Sequence, residues 1–421
     1  MISNVRDIAQ RIHSHRLANG LMLLAEPMDW LESVAVALVV PAGCSRDPAD
    51  RAGLANFTAE MAQRGCGSRD SRQFVEDLER LGVDHWASVS NAHASFGGAM
   101  PAERLRDALP MYADLLQRPL LPEAQLDDAR AVCMQEVRSI EDDPGQKVML
   151  ELRMRAYPEP YGRSPQGTVE SLERIAMDDI QRFYDAAYRP DETIISVAGK
   201  LDWPRMNDQV EALFSGWSSR PLAPLVESSA DGRCHHIPHE SAQTHIGVAF
   251  PSVAYADPDY FQARGAVGVL SDGMSSRLFT EVRENRGLCY SVHAGLHSLR
   301  DRAGVFCYAG TSTERAQETL NVIIAELRKL AQGVHDDELA RLKAQIKSSL
   351  IMQQESSRSR SAAMAGDWYH LGRVRTLDEL GGIIDALSCE SINAYLAAHP
   401  PAQFTVVTLG ASPLELPDGV S

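Results

Sequence analysis

Arg51-Ala-Gly-Leu-Ala-Asn-Phe-Thr-Ala-Glu-Met61 is the stretch on which the reading of the chain turns. Its apolar residues recur at helical spacing as far as about Gln63, and Gly65-Cys-Gly67 supplies a stop. Toward the N-terminus, Leu21 to Ala25 and Ser33-Val-Ala-Val-Ala-Leu-Val-Val40 alternate as strands, the first preceded by a turn at Asn19-Gly20. Toward the C-terminus, a second helix is expected from Arg72 to Leu81, strand patterning from Val83 to Met100, and helices at 104–116 and 122–140. Asp143-Pro144 ends the last of these. A helix near Met177 to Tyr188 and the buried strand Ile194-Ile-Ser-Val-Ala198 close the first half.

Ser218-Ser-Arg-Pro-Leu-Ala-Pro224 and Glu227-Ser-Ser-Ala-Asp-Gly232 then read as a linker, rich in breakers and polar residues. Two domains are expected, 1–217 and 234–421, joined through 218–233, which suits a chain of 421 residues. The second half ends as the first does, with a helix at Glu390 to Ala397 and the strand Phe404 to Leu409, so that Ile180 and Ile392 fall at matching positions about half a chain apart. The pattern predicts an α+β protein of two tandem homologous domains, each a mainly antiparallel sheet packed with helices.

Composition narrows the function. A formal charge of −16 without any basic run argues against nucleic acid and anionic membrane as partners, although it would draw a cationic peptide. Seven scattered cysteines contain no CxxC pair, which argues against a disulfide framework or a zinc ribbon. The N-terminal residues show no apolar stretch of signal-peptide length, and no window approaches the ~18 apolar residues of a membrane span. No GxSxG elbow is present, since Gly273-Met-Ser-Ser-Arg277 lacks the closing glycine. Gly265-Ala-Val-Gly268 is read as helix packing rather than a phosphate loop.

The 51–61 stretch resembles the active-site helix of the pitrilysin/insulinase family of zinc peptidases, which carry Gly-Leu-Ala-His-Phe-Leu-Glu-His there. In an HxxEH helix two histidines on one face grip zinc, and the glutamate serves as general base to the bound water. The three matching positions here are Asn56, Ala59 and Glu60. An amide and a lone carboxylate do not replace two imidazoles, and Ala59 cannot accept a proton. The family's third ligand is a glutamate on a later helix, a position the resemblance assigns to Glu136 in Cys133-Met-Gln-Glu-Val-Arg138. Stripped of its partners, Glu136 reads as a carboxylate on a solvated face. The likeness continues through Tyr161-Gly162, Gln166-Gly167 and Tyr188-Arg-Pro190.

In the second half, Asp272-Gly-Met-Ser-Ser-Arg-Leu-Phe-Thr-Glu-Val-Arg-Glu-Asn-Arg-Gly-Leu-Cys-Tyr-Ser291 resembles the family's Arg/Tyr segment. Helix propensity over 275–286 and the Gly287 stop place Arg283 in a last helical turn and Tyr290 at the start of a strand. Without the resemblance, Arg283 reads as a surface cation paired with Glu281 or Glu284, and Tyr290 as a core aromatic. The resemblance implies instead a fork for a peptide carbonyl or carboxylate and a phenol for the oxyanion. Trp86-Ala-Ser-Val-Ser-Asn91 resembles the strand on which the family lays an extended peptide, and is read here as structural.

Two further groups are set aside. Cys234-His235-His236 with His239 would point alternate ways in an extended segment, against a shared metal. Ser356-Ser-Arg-Ser-Arg-Ser361 reads as a solvated helical stretch following a helix from Asp336 to Gln354. The resemblance therefore implies a chain without its own metal or activity: a non-catalytic subunit that pairs with a zinc-binding paralogue bearing intact HxxEH and lends it Arg283 and Tyr290. The alternatives are a structural subunit, as degenerate members are in respiratory complexes, and a stand-alone peptide-binding protein.

Overall fold

The computed structural model describes residues 10–218, 224–229 and 234–420; the residues before 10 and much of the expected linker lie outside them. The described chain packs as two units, each built on one sheet. The first comprises the described residues within Met1–Cys133, Glu170–Ala223 and Ser349–Gly381, and the second those within Met134–Val169, Pro224–Ser348 and Gly382–Ser421.

The first sheet is formed by β1 (His13–Arg16), β2 (Met22–Pro27), β3 (Ser33–Val40), β6 (Asp84–Val89), β7 (Ala94–Pro101) and β8 (Ile194–Gly199) in the order β1-β2-β8-β3-β7-β6; β4 (Gly65–Cys66) and β5 (Arg69–Asp70) make a separate small hairpin. Only the β2–β8 pairing is parallel. Gly20, at φ +94°, turns the chain between β1 and β2 as its Asn-Gly signal predicts. One face of β3, β7 and β8 carries Val36, Leu38, Phe96, Ile195 and Val197, each essentially closed to water.

The second sheet runs β11-β12-β10-β13-β9, from β9 (Cys234–Pro238), β10 (Gln243–Ser252), β11 (Cys289–Ser298), β12 (Ala303–Ser312) and β13 (Thr405–Gly410). Again one pair, β9 with β13, is parallel. Read from the parallel pair outward, this is the same strand order as β2-β8-β3-β7-β6. The duplication is thus explicit in topology, and both sheets are mainly antiparallel with helices packed on them, the α+β class expected.

The packing units do not follow chain order. The helix Pro144–Ala156, from the first half, covers one face of the second sheet, where Val148 and Leu152 pack with Ala249, Phe306, Val407 and Leu409. The helix Ser357–Leu371, from the second half, covers one face of the first, where Met364 and Ala365 pack with Met22, Leu24, Ile194 and Ala198. The two helices occupy equivalent places in the two repeats, so the exchange is reciprocal. It overturns the reading of 356–361 as solvated: Ser357, Arg360 and Ser361 are buried. Apolar periodicity misses the burial of this helix because serine, alanine and arginine line much of its covered face.

Elsewhere the expected elements form. Gly265 and Gly268 sit inside the helix Tyr260–Ser271, where an added Cβ would come within 3.0 Å of Ile392 and 2.5 Å of Leu342, the close packing anticipated. Among the described residues no helix is long and apolar enough to cross a membrane.

Candidate functional site

The degenerate helix spans Leu54–Ala62, and its framework is fully built. It begins at Gly53, whose φ of +89° an L side chain rarely adopts. The buried Asp47 carboxylate accepts from Gly53 N at 2.8 Å and Ala55 N at 2.9 Å, satisfying first-turn donors and complementing the positive end of the helix dipole. Ser171 Oγ donates to Ala52 O at 2.6 Å, and Arg51 Nε to Asp179 Oδ2 at 3.2 Å.

On this framework the three motif positions hold no metal-binding constellation. Asn56 turns its amide toward Cys133 Sγ, 4.0 Å away on the helix Leu126–Glu141. Ala59 is buried. Glu60 accepts from both Nε and Nη2 of Arg64, at 3.1 and 2.8 Å, so its carboxylate is committed within its own helix. Arg130 lies over the Phe57 ring at 5.3 Å, adding a second direct contact with the 126–141 helix. Zinc does not fit this donor set: the imidazoles are missing, the Glu60 carboxylate is ion-paired with Arg64, and the base position carries a methyl group. Glu136 is exposed and borders a shallow depression with Gln135, Ser139, Gln146 and Gln166. Among the described residues no group of three or more His, Cys, Asp and Glu side chains is placed to hold a metal. That includes β9, where His236 Nδ1 meets Thr408 Oγ1 at 3.0 Å and His235 faces Glu151.

β6 is an edge strand, hydrogen-bonded only to β7. Trp86 lies on it against Gly97, where an added Cβ would come within 2.6 Å of the indole. Arg358 stacks over the indole at 5.7 Å and bonds Asp84 at 3.0 Å. On the other face His85 is shared between Tyr112 Oη and Gln63 Oε1, and desolvation lowers its pKa.

The second unit holds the Arg/Tyr pair, and two backbone irregularities bring it together. Phe279–Glu284 forms a π turn, with Asn285 N donating to Thr280 O at 2.8 Å. The turn closes on a glycine cap one residue wider than a Schellman motif: Gly287, at φ +60°, donates to Arg283 O and Leu288 N to Val282 O. Cys289 then pairs with Thr311 and Ser291 with Gly310, leaving Tyr290 as the extra residue of a β-bulge. The result places the Arg283 guanidinium 4.9 Å from the Tyr290 ring centroid and 4.8 Å from that of Phe279.

Neither simpler reading of these residues describes them. Tyr290 is 83% exposed rather than a core aromatic, and Arg283 makes no ion pair among the described residues, since Glu281 accepts from Asn285 at 3.2 Å. Neighbouring Cys289 is buried, which raises its thiol to about 11 despite the nearby Arg283 cation and disfavours the thiolate. Sequence patterning gave no signal for Phe279 or for the bulge. Nor did it reveal a groove of about 1290 Å³ in the first unit, lined by Asp29, Glu32, Leu105, Arg106, Lys200 and Met206, which touches no candidate residue.

Comparisons with known proteins agree with this architecture. Residues 27–168 match the family model described as insulinase (peptidase family M16), and 174–346 that described as the peptidase M16 inactive domain. An uncharacterized zinc protease of Rickettsia felis is 25% identical over 90% of this chain and 92% of its own, and one of Bacillus subtilis 26% identical over 91% and 94%. The crystal structure of a peptidase M16 inactive domain from Pseudomonas fluorescens superposes with a TM-score of 0.88, at 22% identity, over 97% of this chain and 99% of that one.

Proposed function

The chain belongs to peptidase family M16, and on that premise we propose that it is the non-catalytic subunit of a heterodimeric zinc metallopeptidase. One contrast carries the reading. The zinc-motif positions hold an amide, a methyl and an ion-paired carboxylate, whereas Arg283 and Tyr290 stay together, with no ion pair to Arg283 among the described residues and the phenol open to solvent. A scaffold has no use for an exposed phenol beside an unpaired guanidinium.

In this reading the metal belongs to a paralogue with intact HxxEH. This chain supplies the Arg283 fork, which takes a substrate carbonyl or carboxylate, and the Tyr290 hydroxyl, which donates to the oxygen that gains charge as the scissile carbonyl is attacked. The net charge of −16 favours approach of cationic peptides.

The test mixes the purified chain with an M16 member of the same organism that bears HxxEH, using fluorogenic peptides as substrate. Neither protein alone should cleave at the rate of the mixture, and chelation should abolish the activity. Arg283→Ala and Tyr290→Phe should each lower kcat/KM by about 10². Unchanged cleavage in both variants refutes the assignment. One-to-one peptide binding by the chain alone would favour a binding protein, and co-purification with a membrane complex a structural subunit.

A further inference from the structure

Arg283 is held by rings and not by a carboxylate. Its guanidinium lies within cation–π distance of two aromatic side chains, Phe279 at 4.8 Å and Tyr290 at 4.9 Å. The acidic residue two positions earlier, Glu281, is engaged by Asn285. The geometry points to Phe279 as a positioning residue: it fixes the Arg283 fork through its π-face and leaves the fork's hydrogen-bond donors free for substrate.

The argument rests on how a guanidinium can be held. Its five N–H donors lie in the plane of the group, and a carboxylate binds it by occupying two of them in parallel. Such a partner would neutralise the charge and consume the donors that substrate needs. An aromatic face attracts the same cation by its quadrupole and takes no donor.

Local structure supplies the register. Phe279 and Arg283 are four residues apart within the π turn, which the Thr280–Asn285 hydrogen bond and the Gly287 cap hold in place. Leu278 and Val282 beside them are fully buried and anchor the turn in the core. Phe279 itself is only half-buried, so its ring is not needed to fill that core. Tyr290 supplies the second ring but is also the group assigned to the oxyanion, which leaves Phe279 as the one ring with no other task.

The positioning claim is tested on the isolated chain, and only its effect on catalysis rests on the role proposed for Arg283. The Nε–Hε resonance of Arg283, identified by its loss in Arg283→Lys, should lie upfield of free arginine through the ring currents. Phe279→Leu should return it roughly halfway, and Phe279→Tyr should restore it, with thermal unfolding as the control for folding. In the reconstituted mixture Phe279→Leu should lower kcat/KM about fivefold and Phe279→Tyr should not. An Arg283 resonance unmoved in Phe279→Leu, or unrestored in Phe279→Tyr, overturns the inference. Should Phe279→Leu not fold, Tyr290→Leu leaves Phe279 as the sole ring, and loss of all upfield displacement there overturns it equally. A moved resonance with no cleavage by any mixture would instead refute the heterodimer and leave the positioning intact.

Discussion

Arg360 Nε donates to Glu26 Oε2 at 2.8 Å with both side chains almost wholly out of water, at 2% and 3% exposure. Arg360 Nη2 lies 2.7 Å from the same oxygen, and Gln10 Nε2 donates to Glu26 Oε1 at 2.7 Å. The pair joins the exchanged 357–371 helix to β2 of the sheet it covers. Desolvating two charges costs nearly what their attraction returns, so the pair is better understood as fixing where the helix docks than as a source of net stability.

Removing one partner exposes that balance. Arg360→Met should cost about 3–5 kcal/mol by leaving the Glu26 carboxylate buried and unpaired. Adding Glu26→Leu should recover most of the loss. Urea denaturation at pH 7 measures both, and a double variant as unstable as the single one would contradict this account.

Gly287→Ala places a side chain at φ +60°, where the backbone, not crowding, is the obstacle: the nearest atom to the new Cβ is Arg315 Nη1 at 3.7 Å. The expected cost is about 1 kcal/mol, read as a lowered midpoint in thermal unfolding. In the reconstituted peptidase the same variant should lose activity, because Arg283 O accepts the capping bond.

Acid should destabilise the protein through histidines whose desolvation in the folded state disfavours the charged form. Desolvation lowers the pKa of His85, His245 and His297, the last to about 4. A depressed histidine leaves the unfolded chain binding more protons than the native one between the two pKa values. Stability is therefore full above the unfolded value of 6.5 and falls as pH drops from 6.5 toward 4, with His297 alone worth on the order of 3 kcal/mol. Flat stability across that window would argue against neutral burial.

Zinc should not raise the thermal midpoint of the isolated chain and chelator should not lower it, since only a ligand of the native state stabilises it; zinc taken up by the seven cysteines and thirteen histidines of the unfolded chain acts the other way. The Asp47 cap and the Asn56–Cys133 contact hold the degenerate helix by direct bonds. A zinc-dependent rise of several degrees would show a site that these side chains do not form.

Most of this fold was legible in the sequence because its elements carry their own signals. Ser33–Val40 alternates and forms β3 at the bounds its pattern suggests, and the 71–80 helix opens on the Asp70/Gln73 capping box. The site was legible only in part. That Asn56, Ala59 and Glu60 cannot grip zinc follows from side-chain chemistry, which needs no coordinates. The surroundings of Arg283 were not: a helical pattern cannot announce a π turn, and a strand pattern cannot announce a bulge, because each inserts one residue without altering composition. The destination of the 357–371 helix was hidden for another reason. Apolar periodicity identifies a covered face, never the sheet that covers it.

The reciprocal exchange also has a consequence in time. Residues 10–218 contain every strand of the first sheet, yet the helix that shields Met22, Leu24, Ile194 and Ala198 is not complete until Leu371. A nascent chain emerging from the ribosome must therefore carry that apolar face uncovered through the synthesis of most of the second repeat. The first half to be made is among the last to be finished, and its maturation is timed by translation of the other.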